Sequence, residues 1–141
     1  MTYYIDDLKP GMFASFSKTV TEADIQKFGE ISGDTNPVHF DEAFAAKTIF
    51  KGRIAHGVLS SSYISTVLGM KMPGPGTIFM SLTTRFKAPV RIGDTVVATC
   101  TVREVVAEKR RVLFDCVCKV GDTTVVDGEA LVMAPARPKA G

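Results

Sequence analysis

At 141 residues, 45% of them hydrophobic, the chain has the length of one globular domain with one core. Its 17 basic and 15 acidic residues leave a formal charge of +2 scattered along the chain, too small and too dispersed for a nucleic-acid footprint. The start, MTYYIDDLKPG, carries an acidic pair where a secretory signal has basic residues, and no apolar run approaches the roughly 20 residues that span a bilayer. The expectation is a cytoplasmic protein with neither a membrane nor a nucleic-acid partner.

In chain order, Gly11 to Val20 is a short strand candidate. Thr21 with Asp24 then makes a capping pair for a short helix that ends near Ser32-Gly33. A polar loop follows, and Asp41 is placed to cap a second short helix over EAFAAKT. After FKGRIAHG a longer helix is expected from about Gly57 to Leu68, with Val58, Leu59, Ile64, Val67 and Leu68 near helical spacing. Its serines, Ser60, Ser61, Ser62 and Ser65, are small enough for other backbone to approach closely.

The segment MPGPG breaks the chain, and beyond it the period changes from 3.6 to 2. Ile78, Met80, Leu82, Thr84 and Phe86 alternate with Phe79, Ser81, Thr83, Arg85 and Lys87, giving one mostly apolar face. Three more strands are expected at about Thr95–Val105, Val112–Val120 and Thr123–Met133, separated by short turns. Short turns imply antiparallel neighbours, so the C-terminal half is expected to be a meander that buries its apolar face on the long helix. The class is α+β, a single domain over residues 1–141, with a frayed tail from Ala134. Cys100, Cys116 and Cys118 are odd in number and lack C-x-x-C spacing, so buried free thiols are expected rather than disulfides or a metal site.

Chemistry concentrates in SGDTNPVHFD, Ser32 to Asp41. On a helix, residues five apart point roughly 140° from one another, so Asp34 and His39 would not share a face. Pro37 blocks continuous helix and biases Asn36 towards extended backbone, so DTNP is a turn, and a turn can bring carboxylate and imidazole into one pocket. Such a pair can hold and deprotonate a water at neutral pH. The same spacing also suits a plain Asx-turn with His39 at the surface. The other histidine, His56, lies in AHGVLSSSYIS. There Gly57 opens the long helix, and its free N–H would face any anionic atom placed at the helix start, with no Cβ in the way of a substrate carbonyl. Alone, Gly57 serves equally as a tolerated helix start and His56 as a turn residue.

Taken in order and with these gaps, SGDTNPVHFD, AHGVLSSSYIS and RFKAPVRIGDTV resemble the (R)-specific enoyl-CoA hydratases of the MaoC-like hot-dog family. The resemblance implies a hot-dog fold, an antiparallel sheet wrapped around a long central helix, and a homodimer. It implies that Asp34 and His39 hold the water that adds across a trans-2-enoyl thioester, and that Gly57 receives the thioester carbonyl. Ser65 falls on a family serine near the pair, His56 is a candidate for a contact around the substrate, and Asn36 is a candidate both for such a contact and for shaping the loop or hydrogen-bonding the His39 region. No cofactor is implied, since coenzyme A is part of the substrate, and no metal.

For the carrier phosphates Arg53, Arg85, Lys87 and Arg91 are available, although each is equally at home on a solvated face. Acyl-carrier-protein dehydratases share the motif and stand as an alternative. A hot-dog thioesterase would want a carboxylate on the long helix, and GVLSSSYISTVLG offers none; a non-catalytic acyl-binding subunit would not need Asp34, His39 and Gly57 together.

Overall fold

A computed structural model describes residues 1–139. Strand β1 (Phe13–Thr19) leads into helix α1 (Glu22–Ser32), α2 (Pro37–Phe40), α3 (Glu42–Ala46) and α4 (Gly57–Thr66). Strands β2 (Ile78–Phe86), β3 (Thr95–Val106), β4 (Arg111–Val120) and β5 (Thr123–Met133) follow. The capping box is formed: Thr21 Oγ1 accepts from the Asp24 N–H at 3.1 Å and Asp24 Oδ2 from the Thr21 N–H at 3.0 Å. Helix α1 ends on Gly33 in the left-handed region, φ 79°. Asp41 caps α3 by accepting from the Phe44 N–H.

The five strands form one antiparallel sheet in the order β1-β3-β4-β5-β2. This corrects the simple meander. Strand β2 does not pair with β3, its neighbour in sequence, but lies against β5 with Leu82 opposite Ala130, so β1 and β2 are the two edges. The chain between β2 and β3 crosses from one edge of the β3-β4-β5 ribbon to the other, which puts Lys87 to Asp94 near the start of α4.

Strands β3 to β5 bury alternate residues as their period requires. Val96, Ala98, Cys100 and Val102 of β3 and Val112, Phe114, Cys116 and Cys118 of β4 face Leu59, Ile64, Val67 and Leu68 in a common core. The Cys118 thiol reaches the Ser60 carbonyl at 3.6 Å, direct evidence that small residues let the sheet approach α4. The three cysteines are buried free thiols. The Cys116 thiol beside it, with burial, holds Cys100 protonated far above the usual thiol range, and burial pushes Cys118 up to about 12.

Strand β2 departs from this pattern. Ile78, Met80, Leu82 and Phe86, expected to pack against the helix, are all exposed, as is Phe79. On α4, Val58, Ser62 and Ser65 form an exposed stripe, and the helix continues as a single π turn over Val67–Lys71 rather than ending at Leu68. The frayed tail is also corrected in part. Ala134 is fully buried, its N–H donates to the Arg110 carbonyl, the Pro135 carbonyl accepts from Ile5, and Arg137 pairs with Asp6 and Asp7. The last two residues of the expected tail, 140 and 141, lie outside the described residues.

Candidate active site

The loop after α1 is an Asx-turn, and it is also how the two candidate groups meet. Asp34 Oδ1 accepts from the Asn36 N–H at 3.2 Å, and Asn36 Oδ1 accepts from the Val38 N–H at 3.2 Å, which starts α2 with Pro37 in its first turn. The sequence suggested a polar loop between α1 and the helix capped by Asp41; four of its residues instead form α2, and this single turn of helix carries His39 inward. His39 is 8% exposed, whereas Asp34 stays open to solvent.

The histidine tautomers follow from their acceptors. His39 Nδ1 lies 2.8 Å from the Ile54 carbonyl, which can only accept, so Nδ1 carries the proton and Nε2 keeps its lone pair. His56 Nε2 lies 2.9 Å from the main-chain carbonyl of Asp34, so His56 donates there and its lone pair sits on Nδ1. The rings stack with centroids 4.0 Å apart and planes 30° from parallel. Phe28 and Phe40 close the other sides of His56, at 4.7 and 5.6 Å between ring centroids. Phe40 gets there by crossing α1 at Gly29, where a Cβ would meet its ring at 2.6 Å. Burial pulls the pKa of His39 below its usual 6.5; the Ile54 hydrogen bond opposes this, His56 reinforces it and the Asp34 charge opposes it.

A carboxylate oxygen of Asp34 and one ring nitrogen each of His39 and His56 lie within 4.8 Å of one another. Two hydrogen bonds of about 2.8 Å meeting at a tetrahedral oxygen span about 4.6 Å, so carboxylate and imidazole are close enough to share one water. The three groups are a poor chelate, because stacked rings send their in-plane lone pairs side by side rather than to one point.

Gly57 is the first residue of α4, so its N–H is among those the helix itself cannot satisfy. It borders an apolar cavity of about 330 Å³ whose walls include Ile54, Val58, Phe86, Pro89 and Val126. A Cβ at Gly57 would stand 2.7 Å from the Phe86 ring. Asp34 and His39 do not line this cavity; they meet it through Ile54, which holds the His39 ring on one side and forms cavity wall on the other.

The remaining candidates divide. Asn36 shapes the loop rather than facing a substrate, since its side-chain oxygen is taken up at the α2 cap. His56, expected to contact substrate, is 2% exposed behind the pair and acts on Asp34 and His39 instead. Ser65 is exposed two turns along α4 from Gly57, about 12 Å along the axis, on the stripe shared with Val58 and Ser62. Arg53, Arg85 and Arg91 are engaged within the chain, with Glu22, Asp127 and the carbonyls of Phe50 and Arg53 respectively, whereas Lys87 stands at the cavity wall. Sequence reading missed the Ile54 carbonyl, the atom that sets the His39 tautomer, because a backbone acceptor leaves no mark in residue type.

Residues 9–126 match the family described as MaoC like domain. The chain belongs to the MaoC-like family. An (R)-specific enoyl-CoA hydratase of Rhodospirillum rubrum is 53% identical over 135 residues, covering 96% of this chain and 94% of that one. A 3-hydroxybutyryl-CoA dehydratase of Methylorubrum extorquens is 47% identical over 97% of this chain and 87% of its own length. Among solved structures, the unliganded R-hydratase PhaJ1 of Pseudomonas aeruginosa superposes with a TM-score of 0.90 at 40% identity, covering 99% of this chain and 92% of that one. The hot-dog fold and the hydro-lyase class inferred from SGDTNPVHFD and AHGVLSSSYIS are therefore those of the MaoC-like relatives. Among the described residues, no helix is long and apolar enough to cross a membrane.

Proposed function

We propose that this MaoC-like chain is an (R)-specific enoyl-CoA hydratase, adding water reversibly to trans-2-enoyl-CoA to give (R)-3-hydroxyacyl-CoA. The observation that carries the reading is the Asp34/His39 pair, a carboxylate oxygen and a ring nitrogen within 4.8 Å of one another with His39 Nε2 left free to accept, beside a helix start and an apolar cavity.

In the hydration direction, a water held between Asp34 and His39 Nε2 gives up a proton to the pair as its oxygen bonds to C3. Electrons of the C2–C3 double bond move towards the thioester carbonyl, and the Gly57 N–H and the α4 dipole stabilise the enolate-like oxygen. The proton returned to C2 by the same pair completes addition of one water. The acyl chain lies in the apolar cavity, and Lys87 is the cation best placed for a carrier phosphate. The reaction needs no cofactor and no metal, because the carbonyl of the thioester supplies the electron sink. Asp34, His39 and Gly57 act on the reacting atoms; Asn36 and His56 hold the loop.

The exposed face of β2 and the stripe on α4 support a homodimer. Fully burying a large apolar side chain contributes about 1.5–3 kcal/mol, and Ile78, Phe79, Met80, Leu82 and Phe86 realise only part of that gain in a lone chain. A second copy laid along this unpaired strand edge covers them through a two-fold interface and places Ser65 between subunits. The chain acts in the cytoplasm, where its three thiols stay reduced.

The test is incubation with crotonyl-CoA, following loss of the enoyl absorbance and then chiral separation of the product. The (R) alcohol is expected. A double bond that persists while free thiol appears indicates a thioesterase, and a double bond that persists without thiol indicates a binding protein.

A further inference from the structure

We propose that Arg53 is a positioning residue that holds the His39 main chain, beside the Ile54 carbonyl that holds its ring, and so maintains the base in its working tautomer. The proposal rests on the hydratase reading and adds a residue to it. In the sequence, Arg53 is one of four cations available to a carrier phosphate; in the fold, its side chain is only 15% exposed and turns inward.

The contacts are specific. Arg53 Nε donates to the His39 carbonyl at 2.7 Å, capping the C-terminal end of α2, whose carbonyls a helix of four residues cannot satisfy itself. The two terminal nitrogens of the same guanidinium grip the Glu22 carboxylate, Nη1 to Oε1 at 2.6 Å and Nη2 to Oε2 at 2.8 Å. The next residue, Ile54, completes the hold: its carbonyl accepts from His39 Nδ1 and its N–H donates to the Val38 carbonyl at 3.3 Å. Arg53-Ile54 thus binds Val38-His39 at main chain and ring together. Arg91 fixes the far side of this segment by donating to the Arg53 and Phe50 carbonyls. Through Glu22 the clamp is tied to the first turn of α1, the helix whose far end leads to Asp34. Lysine cannot replace this arrangement, because it lacks the fork that serves His39 and Glu22 at once.

The experiment compares Arg53→Ala, Arg53→Lys and Glu22→Gln on crotonyl-CoA and on crotonyl-pantetheine, which lacks the nucleotide phosphates. Arg53→Ala is expected to lower kcat about ten- to a hundredfold by the same factor on both thioesters, with KM little changed. Arg53→Lys and Glu22→Gln should show the same pattern at smaller size. In a His39→Ala background the Arg53 change should cost almost nothing more, since the group it positions is gone. Nitrogen-15 NMR of the His39 ring gives a readout that does not need turnover: one Nδ1–H tautomer in the parent chain, a mixture in the Arg53 variants. If the parent chain fails to hydrate crotonyl-CoA, the hydratase reading falls while the NMR result still decides the clamp. A loss confined to the coenzyme A thioester through KM would make Arg53 a phosphate ligand and overturn the proposal. Full activity in Arg53→Lys with an unchanged His39 tautomer would overturn it too, even if Arg53→Ala does not fold.

Discussion

The loop from Asp34 to His39 meets the cavity only through Ile54 and strand β2 only through Phe86, and the two are finished in opposite ways. Around His39 the chain itself supplies the counterparts, Ile54 on the ring, Arg53 on the carbonyl, Asn36 and Asp34 on the turn, with His56 Nδ1 the buried atom left without one. Strand β2 satisfies its backbone on one side only, against β5, and leaves its apolar face open. The first region is held by directional hydrogen bonds that close within the chain. The second asks for another surface, because apolar area gains only by being covered.

The largest effects are expected in the loop. His39→Ala and Asp34→Asn should each lower hydration by about 10²–10⁴, the range for losing an acid/base group, in protein that still folds. Circular dichroism and steady-state rates on crotonyl-CoA check this, and near-parental rates in folded variants would remove the pair from the mechanism.

Where the start of α4 meets β2, Gly57→Ala places a methyl group 2.7 Å from the Phe86 ring. Either Phe86 or the start of α4 must shift, so kcat should fall about tenfold or more as the carbonyl moves off the Gly57 N–H. Pairing it with Phe86→Leu, which frees the space, should restore part of the rate.

On the strand side, Leu82→Glu puts a charge on the open face. A change of mass from dimer towards monomer in sedimentation equilibrium is expected, with activity falling alongside it. A parental chain that is fully monomeric and active at every concentration would show that β2 needs no cover.

The smallest effect sharpens the loop side through pH. Because burial depresses the pKa of His39, the neutral base persists below its usual value, and the acid limb of kcat/KM should have its midpoint under 6.5. The sign for stability agrees: an unfolded histidine takes up its proton first, so this group costs stability as pH falls through about 6.5 and below. A midpoint above 6.5 would contradict a buried base.

Much of this was legible without coordinates. The Thr21-Asp24 box, the stop at Gly33 and the Asp41 cap are local, set by side chains reaching backbone two or three residues away, and they formed where the sequence places them. The spans of β3, β4 and β5 were likewise legible, because short turns bound runs of strand-forming residues, whereas the alternation along β2 did not mark a face buried within the chain. The motif residues Asp34, His39 and Gly57 could be nominated for the same reason that the family could: their types and spacing carry the resemblance.

Tertiary structure decided what depends on contacts between distant segments. That β2 crosses over to β5 is invisible in a strand of the right period, since pairing order is a global choice among equivalent edges. Whether Arg53 faces a phosphate or turns inward cannot be told from its charge; 31 residues separate it from Glu22 and 14 from His39. The same holds for His56, a turn residue by spacing, which the packing of Phe28, Phe40 and His39 draws into the interior. Sequence determined which groups can transfer a proton; only the fold, by bringing a backbone carbonyl to one nitrogen of His39, decided which atom is left to accept it.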